Sequence, residues 1–348
     1  MCTLRCIHRA RAASGVAKPD TSGMVVFDRD LKRTQRDRAA AFGEASSFEY
    51  LHTEVATRVI DRLDDISRNF EGALDLGCGS GHMLAALADA GRRASGGSAP
   101  LGGGVRRLTQ CDSSSGMLAR ARARASDLGL AVGEGGDGDA AVVDSMLVDE
   151  EALPFDAGQF DLVLSSMALH WVNDLPGTLI QASNALRPDG VFIGAMLGGQ
   201  TLTELRSAFV VAEQERDGGV SPHVSPFAQV ADCGNLLQRA GFNLPTVDTD
   251  IIRLNFPDAF MLMEHLGGMG EANACALRRG ALSRDTLTAA AVAYHELYGN
   301  ADGTVPATFQ VIYMIGWKPH ETQARPKRRG SATRSLKELS KPQPSRTG

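Results

Sequence analysis

The residues best placed to do chemistry are three glycines that follow an acid, in the run Leu74-Asp75-Leu76-Gly77-Cys78-Gly79-Ser80-Gly81. A short apolar segment precedes the glycines, and residues with helical spacing follow from His82. Glycine lets the backbone take positive φ angles and approach a ligand without a Cβ clash, and a helix N-terminus offers free N–H groups. The pattern therefore predicts a strand, a tight ligand-binding loop and the start of a helix.

The spacing of the glycines narrows the class of ligand. A dinucleotide-binding fingerprint, G-x-G-x-x-G, would need glycine at position 82, where this chain has His82. A phosphate-binding P-loop would need Lys and then Ser or Thr after the last glycine, and they are absent. What remains, Asp-x-Gly-x-Gly-x-Gly, resembles the first motif of S-adenosylmethionine-dependent methyltransferases. A glycine-rich turn that binds no ligand is the alternative.

Two acidic positions downstream of the loop are candidates for binding the nucleoside of such a cofactor. Asp112 ends a predicted strand, where a carboxylate in doubly wound folds accepts hydrogen bonds from ribose hydroxyls. Asp149, beside Glu150, precedes Leu-Pro-Phe in a segment that resembles the methyltransferase segment in contact with the adenine amino group. A turn-initiating Asp112 and an exposed acidic loop at Asp149 are the alternatives.

Two histidines are the candidate catalytic groups. His170 lies beside Trp171 just beyond a predicted strand, at the carboxyl edge where ligands bind in such sheets. His223 belongs to the proline-containing loop 221–227, which we expect to fold over the same cleft. A purely structural role for either is the alternative. The H-x-E pair His52-Thr53-Glu54 falls on a predicted helix, where residues i and i+2 point apart, so we expect a solvated face and no metal site.

Alternating strands and helices must position these residues. Hydrophobic patterning predicts strands at 73–76, 106–110, 141–147, 160–166 and 191–196, later strands at 251–254 and 309–315, and helices over 48–68, 117–128 and 176–186. A turn is expected at 187–190, and Gly-rich flexible segments at 91–104 and 133–139. This alternation predicts a doubly wound α/β fold.

Composition bounds the function classes. A net charge of −5 over 348 residues gives no nucleic-acid-binding footprint, and no apolar run is long enough to span a membrane as a helix. The six cysteines form no C-x-x-C pair and are typical of thiols in a reducing compartment. Residues 1–24 are rich in Arg and poor in acids, as in an organellar transit peptide, although a frayed basic terminus is the alternative. Residues 321–348 have the composition of a basic, solvated tail.

Several further segments make the resemblance more specific. Together they resemble the mitochondrial complex I assembly factor 5 family over about residues 26–339. The Ser-Pro-His loop and the carboxyl-terminal segments are far more specific than the glycine motif, and the two Gly-rich insertions fall between the motifs. The matching segments are 26–33 (VFDRDLKR), 68–79, 165–176, 186–196, 221–223, 268–271, 305–308, 316–318 and 330–333.

The resemblance implies a class I S-adenosylmethionine-dependent methyltransferase fold with helical insertions. It implies an early role in assembly of respiratory complex I, by hydroxylation of an arginine of a core subunit, at the matrix face of the mitochondrial inner membrane, to which the protein would bind peripherally. Methylation of a protein or carrier-protein carboxylate is one alternative, because the family is similar to malonyl carrier-protein methyltransferases, and a non-catalytic assembly chaperone is another.

The same resemblance, together with the motifs, assigns parts of the chain. We expect a mitochondrial transit peptide at 1–24, a cofactor-binding core at 25–200 and, at 201–320, the carboxyl-terminal part of the same domain with loops over the substrate. By position and charge, Glu264 and Glu271 are candidates to pair with the substrate guanidinium. The expected S-adenosylmethionine ligands are Asp75, Gly77, Cys78, Gly79, Gly81, Asp112, Asp149 and Glu150.

Overall fold

The computed structural model describes residues 25–42, 45–95, 101–133, 141–280, 282–324 and 330–331. The predicted transit peptide, residues 134–139 of the predicted Gly-rich loop and most of the predicted basic tail lie outside these residues.

The described residues form one sheet of eight strands in the order β3-β4-β2-β1-β5-β6-β8-β7. Pairing is parallel from β3 through β6, and β8 runs antiparallel to both of its neighbours. This mostly parallel sheet confirms the doubly wound α/β prediction, with the two late strands completing one edge. The strands are β1 (Gly72–Leu76), β2 (Arg107–Asp112), β3 (Ala131–Val132), β4 (Val142–Leu147), β5 (Phe160–Ser166), β6 (Leu186–Leu197), β7 (Asn243–Phe256) and β8 (Val305–Trp317).

Helices connect the strands, and several begin at a side chain that caps the first turn. Asp28, Ser114 and Asp174 each accept a hydrogen bond from a backbone N–H three residues on, which satisfies a donor that the helix leaves free. The helices are α1 (Arg29–Ala40), α2 (Tyr50–Asp64), α3 (His82–Ser95), α4 (Ser115–Asp127), α5 (Leu175–Ala185), α6 (Thr203–Arg216), α7 (Val230–Arg239), α8 (Ala259–Gly268) and α9 (Arg284–Tyr298).

Hydrophobic cores lie on both faces of the sheet. Along β5, Leu162 and Leu164 enter the core beneath α2 and α3, while Val163 enters the core beneath α5 and α7. Successive side chains of a strand point to opposite faces, so these central strands are apolar throughout. On α2, the predicted apolar stripe is confirmed as buried: Leu51, Val55, Val59, Ile60 and Leu63.

The structure corrects two predicted loops. Residues 187–190 form a bulge inside β6 instead of a turn before it, because Phe160 pairs with Leu186 and Leu162 with Val191, leaving the residues between them without partners on β5. The prediction of a flexible Gly-rich segment at 91–104 is wrong at both ends of that segment. There α3 continues to Ser95, and the short turn Gly102–Gly104 packs against α2 and α3.

The parallel strands place the predicted site residues at one edge. Loops that leave the carboxyl ends of β1, β2, β4 and β5 all open on this edge, which is where ligands bind in open α/β sheets. Helix α1 contacts α4 and α8. It carries cationic side chains to the acids of this edge.

Candidate functional site

The glycine loop is fixed by its neighbouring strand. The backbone N–H groups of Gly77 and Cys78 donate to the carbonyl of Cys111, at 2.8 and 2.9 Å. Gly77 and Gly79 have φ angles of 71° and 54°, a region that favours glycine. A Cβ at Gly77 would overlap the side chain of Ala168, whereas a Cβ at Gly79 would meet no atom within 4 Å. Gly77 is therefore required for packing, and Gly79 leaves open space above the loop.

This loop forms one side of a narrow cleft. Of the predicted cofactor residues, Asp75, Gly77, Cys78 and Gly79 line the cleft, and Gly81 instead packs against Ala121 of α4. Asp112, Asp149 and Glu150 are not among the residues that line the cleft. Other parts of the chain complete the wall with Arg36, Phe48, His52, Ser166, Met269 and Glu271.

Asp75 is a fully buried acid at the end of β1 whose hydrogen bonds are incomplete. Its Oδ2 accepts a long bond, 3.4 Å, from Nε2 of Gln110, while its Oδ1 has no partner. Burial raises the pKa of Asp75 to about 7. The hydroxyl of Ser166, also on the cleft wall, is buried without a partner too. Orphaned polar atoms of this kind are the groups that a polar ligand would satisfy.

Asp112, the predicted ribose acceptor, already has hydrogen-bond partners within the chain. Its fully buried carboxylate accepts hydrogen bonds from the backbone N–H of Gly79 at 3.0 Å and of Ser114 at 2.8 Å. Nη1 of Arg36, from α1, lies 3.1 Å from the same oxygen that Gly79 contacts. A ribose at this position would therefore have to share Asp112 with Arg36, and the ribose-binding role stays a prediction.

A second arginine of α1 contacts the acidic segment after β4. The Arg29 guanidinium pairs with Glu150, which is buried, and with Asp149 at 2.9 Å, which is half exposed. Its Nε lies 3.8 Å from Glu151. These acids thus have a partner within the chain, and their contact with adenine stays a prediction.

His170 does lie at the carboxyl edge, and it contacts Glu271. Its Nε2 is 3.0 Å from Oε2 of Glu271, and Nε1 of Trp171 donates to the same oxygen at 2.7 Å. Burial lowers the pKa of His170, so the neutral ring donates from Nε2, and its Nδ1 is left without a partner. His52 of α2 approaches the other oxygen, with Nε2 at 3.6 Å from Oε1. The solvated face predicted around His52 is therefore wrong at this residue, because α2 turns it toward the cleft.

His223 is not among the residues that line the cleft. Its Nε2 is 2.8 Å from Oε1 of the buried Glu213, and its ring stacks on Phe209 with centroids 4.3 Å apart. The hydroxyl and backbone N–H of Ser221 bond the same carboxylate. These contacts anchor the loop to α6, and the loop reaches His170 through the Phe227 ring at 5.9 Å.

Sequence reasoning missed the cations of α1. Arg36 pairs with Asp112, and Lys32 donates to the carbonyls of Gly270 at 3.0 Å and Ala272 at 2.7 Å. The ammonium of Lys32 lies 3.3 Å from the centre of a Trp171 ring, and burial lowers its pKa to about 7. The one available signal was their spacing, since residues three and four apart share a helix face.

Two kinds of feature are absent from the described residues. No helix in those ranges is long and apolar enough to cross a membrane. Within the same ranges, no group of three or more His, Cys, Asp or Glu side chains is arranged to hold a metal ion.

Comparison with known proteins shows to which family this chain is related. Residues 74–194 match a family model described as a methyltransferase domain. The chain is 48% identical over 319 residues to the mitochondrial arginine-hydroxylase NDUFAF5 of Danio rerio, covering 92% of this chain and 91% of that protein. It is 33% identical to a malonyl-[acyl-carrier protein] O-methyltransferase of Methylovorus, covering 88% of this chain and 94% of the relative.

Among solved structures, the chain is similar to the YcgJ protein of Bacillus subtilis. The two superpose with a TM-score of 0.50 at 14% identity, over 76% of this chain and 99% of that one. At this identity the likeness concerns the fold alone. Together with the methyltransferase domain and the mostly parallel sheet, it confirms the class I S-adenosylmethionine-dependent methyltransferase fold.

Proposed function

This chain belongs to the NDUFAF5 arginine-hydroxylase family, and we propose that it hydroxylates an arginine of a core subunit of respiratory complex I during early assembly. The observation that carries the proposal is identity of 48% over nearly the whole chain with arginine-hydroxylases. The family membership makes the protein an enzyme with a methyltransferase fold. Its substrate, partner and place in assembly are parts of the proposal. So are its co-reactants, because converting C–H to C–OH with O2 consumes two electrons from a reductant and releases the second oxygen atom as water.

We further propose that S-adenosylmethionine binds in the cleft. The residues fit such a cofactor, because Asp75 Oδ1 and Ser166 Oγ are buried without partners on the cleft wall and Gly79 leaves its surface open. Asp75 would receive the cofactor's ammonium group, and Asp112 its ribose. In a methyltransferase this cofactor supplies the transferred methyl group. Cys78 shapes the loop, while Asp149 and Glu150 would orient the adenine.

The test measures arginine hydroxylation in cells that lack the endogenous counterpart of this protein. Cells receive the wild-type chain, Gly79→Val or Gly129→Val, and mass spectrometry compares the arginines of complex I subunits. Both glycines have positive φ, 54° and 72°, and open space at Cβ, so both substitutions strain the backbone alike. Only Gly79→Val projects into the cleft, and it should abolish a hydroxylation that Gly129→Val retains. Absence of added oxygen with the wild-type chain would refute the proposal.

The second candidate is methylation of a carboxylate on a carrier protein or subunit, favoured by the 33% identity to carrier-protein methyltransferases. The same spectra separate the two reactions, since one adds an oxygen atom to arginine and the other a methyl group to a carboxylate.

We also propose a mitochondrial location and the chain divisions that accompany it. Residues 1–24 would act as the transit peptide, 25–200 as the cofactor-binding core, 201–320 as its carboxyl-terminal part and 321–348 as a basic tail. Fusing residues 1–24 to a fluorescent reporter should send the reporter to mitochondria. A reporter that stays in the cytosol would overturn this role for the segment.

A further inference from the structure

Glu271 is a buried carboxylate on the cleft wall, and its two oxygens differ in their contacts. Oε2 accepts hydrogen bonds from Nε2 of His170 at 3.0 Å and Nε1 of Trp171 at 2.7 Å. Oε1 lies 3.6 Å from His52 Nε2, and no described residue gives it a shorter bond. Glu271 lines the same cleft as the glycine loop. The donors His170 and Trp171 therefore orient the carboxylate. Oε1, with only the long His52 contact, can accept a hydrogen bond from a group that enters the cleft.

Among the described residues, no arginine or lysine lies within ion-pair distance of Glu271. Among the described residues, its ion-pair contacts within 4.0 Å are to His52 and His170 only, whereas buried Asp112, Glu150 and Glu213 each contact an arginine. Burial opposes ionisation of Glu271, but His170 and the nearby Lys32 hold its pKa well below the usual range. An ionised buried carboxylate without a cationic side chain in contact is costly unless a cation arrives from outside.

The ammonium of Lys32 stabilises the charge of Glu271 without an ion-pair contact, and its hydrogen bonds go to other groups. It donates to two backbone carbonyls and lies over the Trp171 ring. Burial lowers its pKa to about 7, so it can release its proton when a second cation comes close. The cluster can therefore accept one more positive group beside Glu271.

The neighbouring cleft wall suits a flat cation. Phe48 lines the cleft and packs its ring against Gly268, where a Cβ would lie 2.5 Å from the ring. A guanidinium stacks on aromatic faces and is more weakly hydrated than an ammonium, so it leaves water at a lower cost. Glu264, the other acid that the sequence offered, lies on the exposed face of α8 and is not part of the wall.

We propose that Glu271 binds the guanidinium of the substrate arginine through Oε1, with His170 and Trp171 positioning the carboxylate and Phe48 stacking on the bound group. This assignment rests on the proposed function, since it names the residue that selects arginine for that reaction. It makes His170 a positioning residue that acts through Glu271.

The first test compares small probes with full-length wild-type protein. N-acetyl-arginine amide, its uncharged citrulline counterpart and its lysine counterpart are titrated while binding is followed by NMR. A charge-assisted hydrogen bond should make the arginine probe bind at least about tenfold tighter than the citrulline probe. Equal binding of arginine and citrulline would overturn the proposal. A lysine probe that binds as tightly as arginine would overturn the choice of a guanidinium.

The second test uses Glu271→Gln, which keeps the shape of the side chain and removes its charge. It should abolish the preference for arginine over citrulline, and the matched variant Glu264→Gln should retain it. Preference retained in a folded Glu271→Gln protein would overturn the assignment. If Glu271→Gln does not fold, the NMR titration of wild-type protein decides the question, because the arginine probe should shift the side-chain signals of His170 and Trp171; unchanged signals would overturn the assignment.

Failure of this inference can be told apart from failure of the proposed function. Hydroxylation that continues unchanged with Glu271→Gln would refute the role of Glu271 and leave the arginine-hydroxylase proposal intact. A wild-type chain that selects the arginine probe through Glu271 but adds no oxygen in cells would do the reverse.

Discussion

Replacing Asp75 by asparagine should make the protein more stable at pH 8 and weaken its affinity for S-adenosylmethionine. The pKa of Asp75 is raised from its ordinary value of 3.8 to about 7 by complete burial. A tenfold change in proton affinity corresponds to about 1.4 kcal/mol, so keeping this carboxylate ionised at pH 8 costs the folded state about 4 kcal/mol. The substituted asparagine carries no such cost, and its amide can donate to the unpartnered Oε1 of Gln110.

The sign of the pH dependence follows from which state binds the proton more tightly. Between pH 3.8 and about 7 the folded protein holds a proton on Asp75 that the unfolded chain has lost, so stability falls as the pH rises through this range. Above pH 7 the loss is complete, and below pH 3.8 it is absent. The advantage of Asp75→Asn should therefore be small near pH 4 and reach its full size by pH 8.

Urea denaturation of both proteins across this pH range measures the effect, and the midpoint and slope together give the free energy of unfolding. Calorimetric titration of S-adenosylmethionine should show affinity reduced at least about tenfold, because a charge-assisted hydrogen bond is lost. A variant that is less stable at pH 8, or whose stability difference does not change with pH, would refute the burial argument. Unchanged affinity would remove Asp75 from the cofactor site.

Three further predictions concern the loop and α1. Arg36→Met and Asp112→Ala should each lower the free energy of unfolding by about 3–5 kcal/mol, because each breaks a buried ion pair. The double variant should lose less than the sum of these two values. Additive losses in urea denaturation would show that the 3.1 Å pair contributes nothing. Asp112→Ala should cost more than Arg36→Met, since Asp112 keeps two backbone donors when Arg36 is removed. Folded Lys32 loses its proton near pH 7 and unfolded Lys32 near pH 10.5, so the wild-type protein should gain stability as the pH rises from 7 to about 10. This gain should disappear in Lys32→Met. A gain that persists in the variant would belong to another group.

Most of the fold could be predicted from local sequence patterns. The strand, glycine turn and helix at 72–95 could be predicted because Gly77, Gly79 and the apolar residues around them act within a short stretch of chain. The bulge at 187–190 could not, since Arg-Pro-Asp-Gly has turn composition and only pairing with β5 makes it part of β6. The two-residue strand β3 is too short to show any periodicity.

The glycine-loop side of the cleft could be located from the sequence, whereas the contacts made by Glu271 and Arg36 could not. Asp75 is the last residue but one of β1 and Asp112 is the last residue of β2, so a pattern in one short segment finds each of them. Glu271 meets His170 across 101 positions of sequence, and Arg36 meets Asp112 across 76. Nothing within a local window distinguishes such an acid from a solvated one, and that is why Glu264 and Glu271 were equal candidates before the structure separated them.

Helix α1 shows why contacts between residues far apart in the sequence could not be predicted. Arg29, Lys32 and Arg36 share one face, and a basic helical face is ordinarily read as solvated. Here the two arginines pair with an acid at the end of β2 and an acid after β4, and Lys32 lies over Trp171 after β5. The same face thus contacts three loops of the carboxyl edge at once. A ligand that draws Asp112 away from Arg36 must therefore change a contact made by the helix that also carries Lys32 to the Glu271 cluster. In the proposed function, the parts of the cleft that bind the cofactor and the arginine would be coupled through α1, and binding of one ligand should change the affinity for the other.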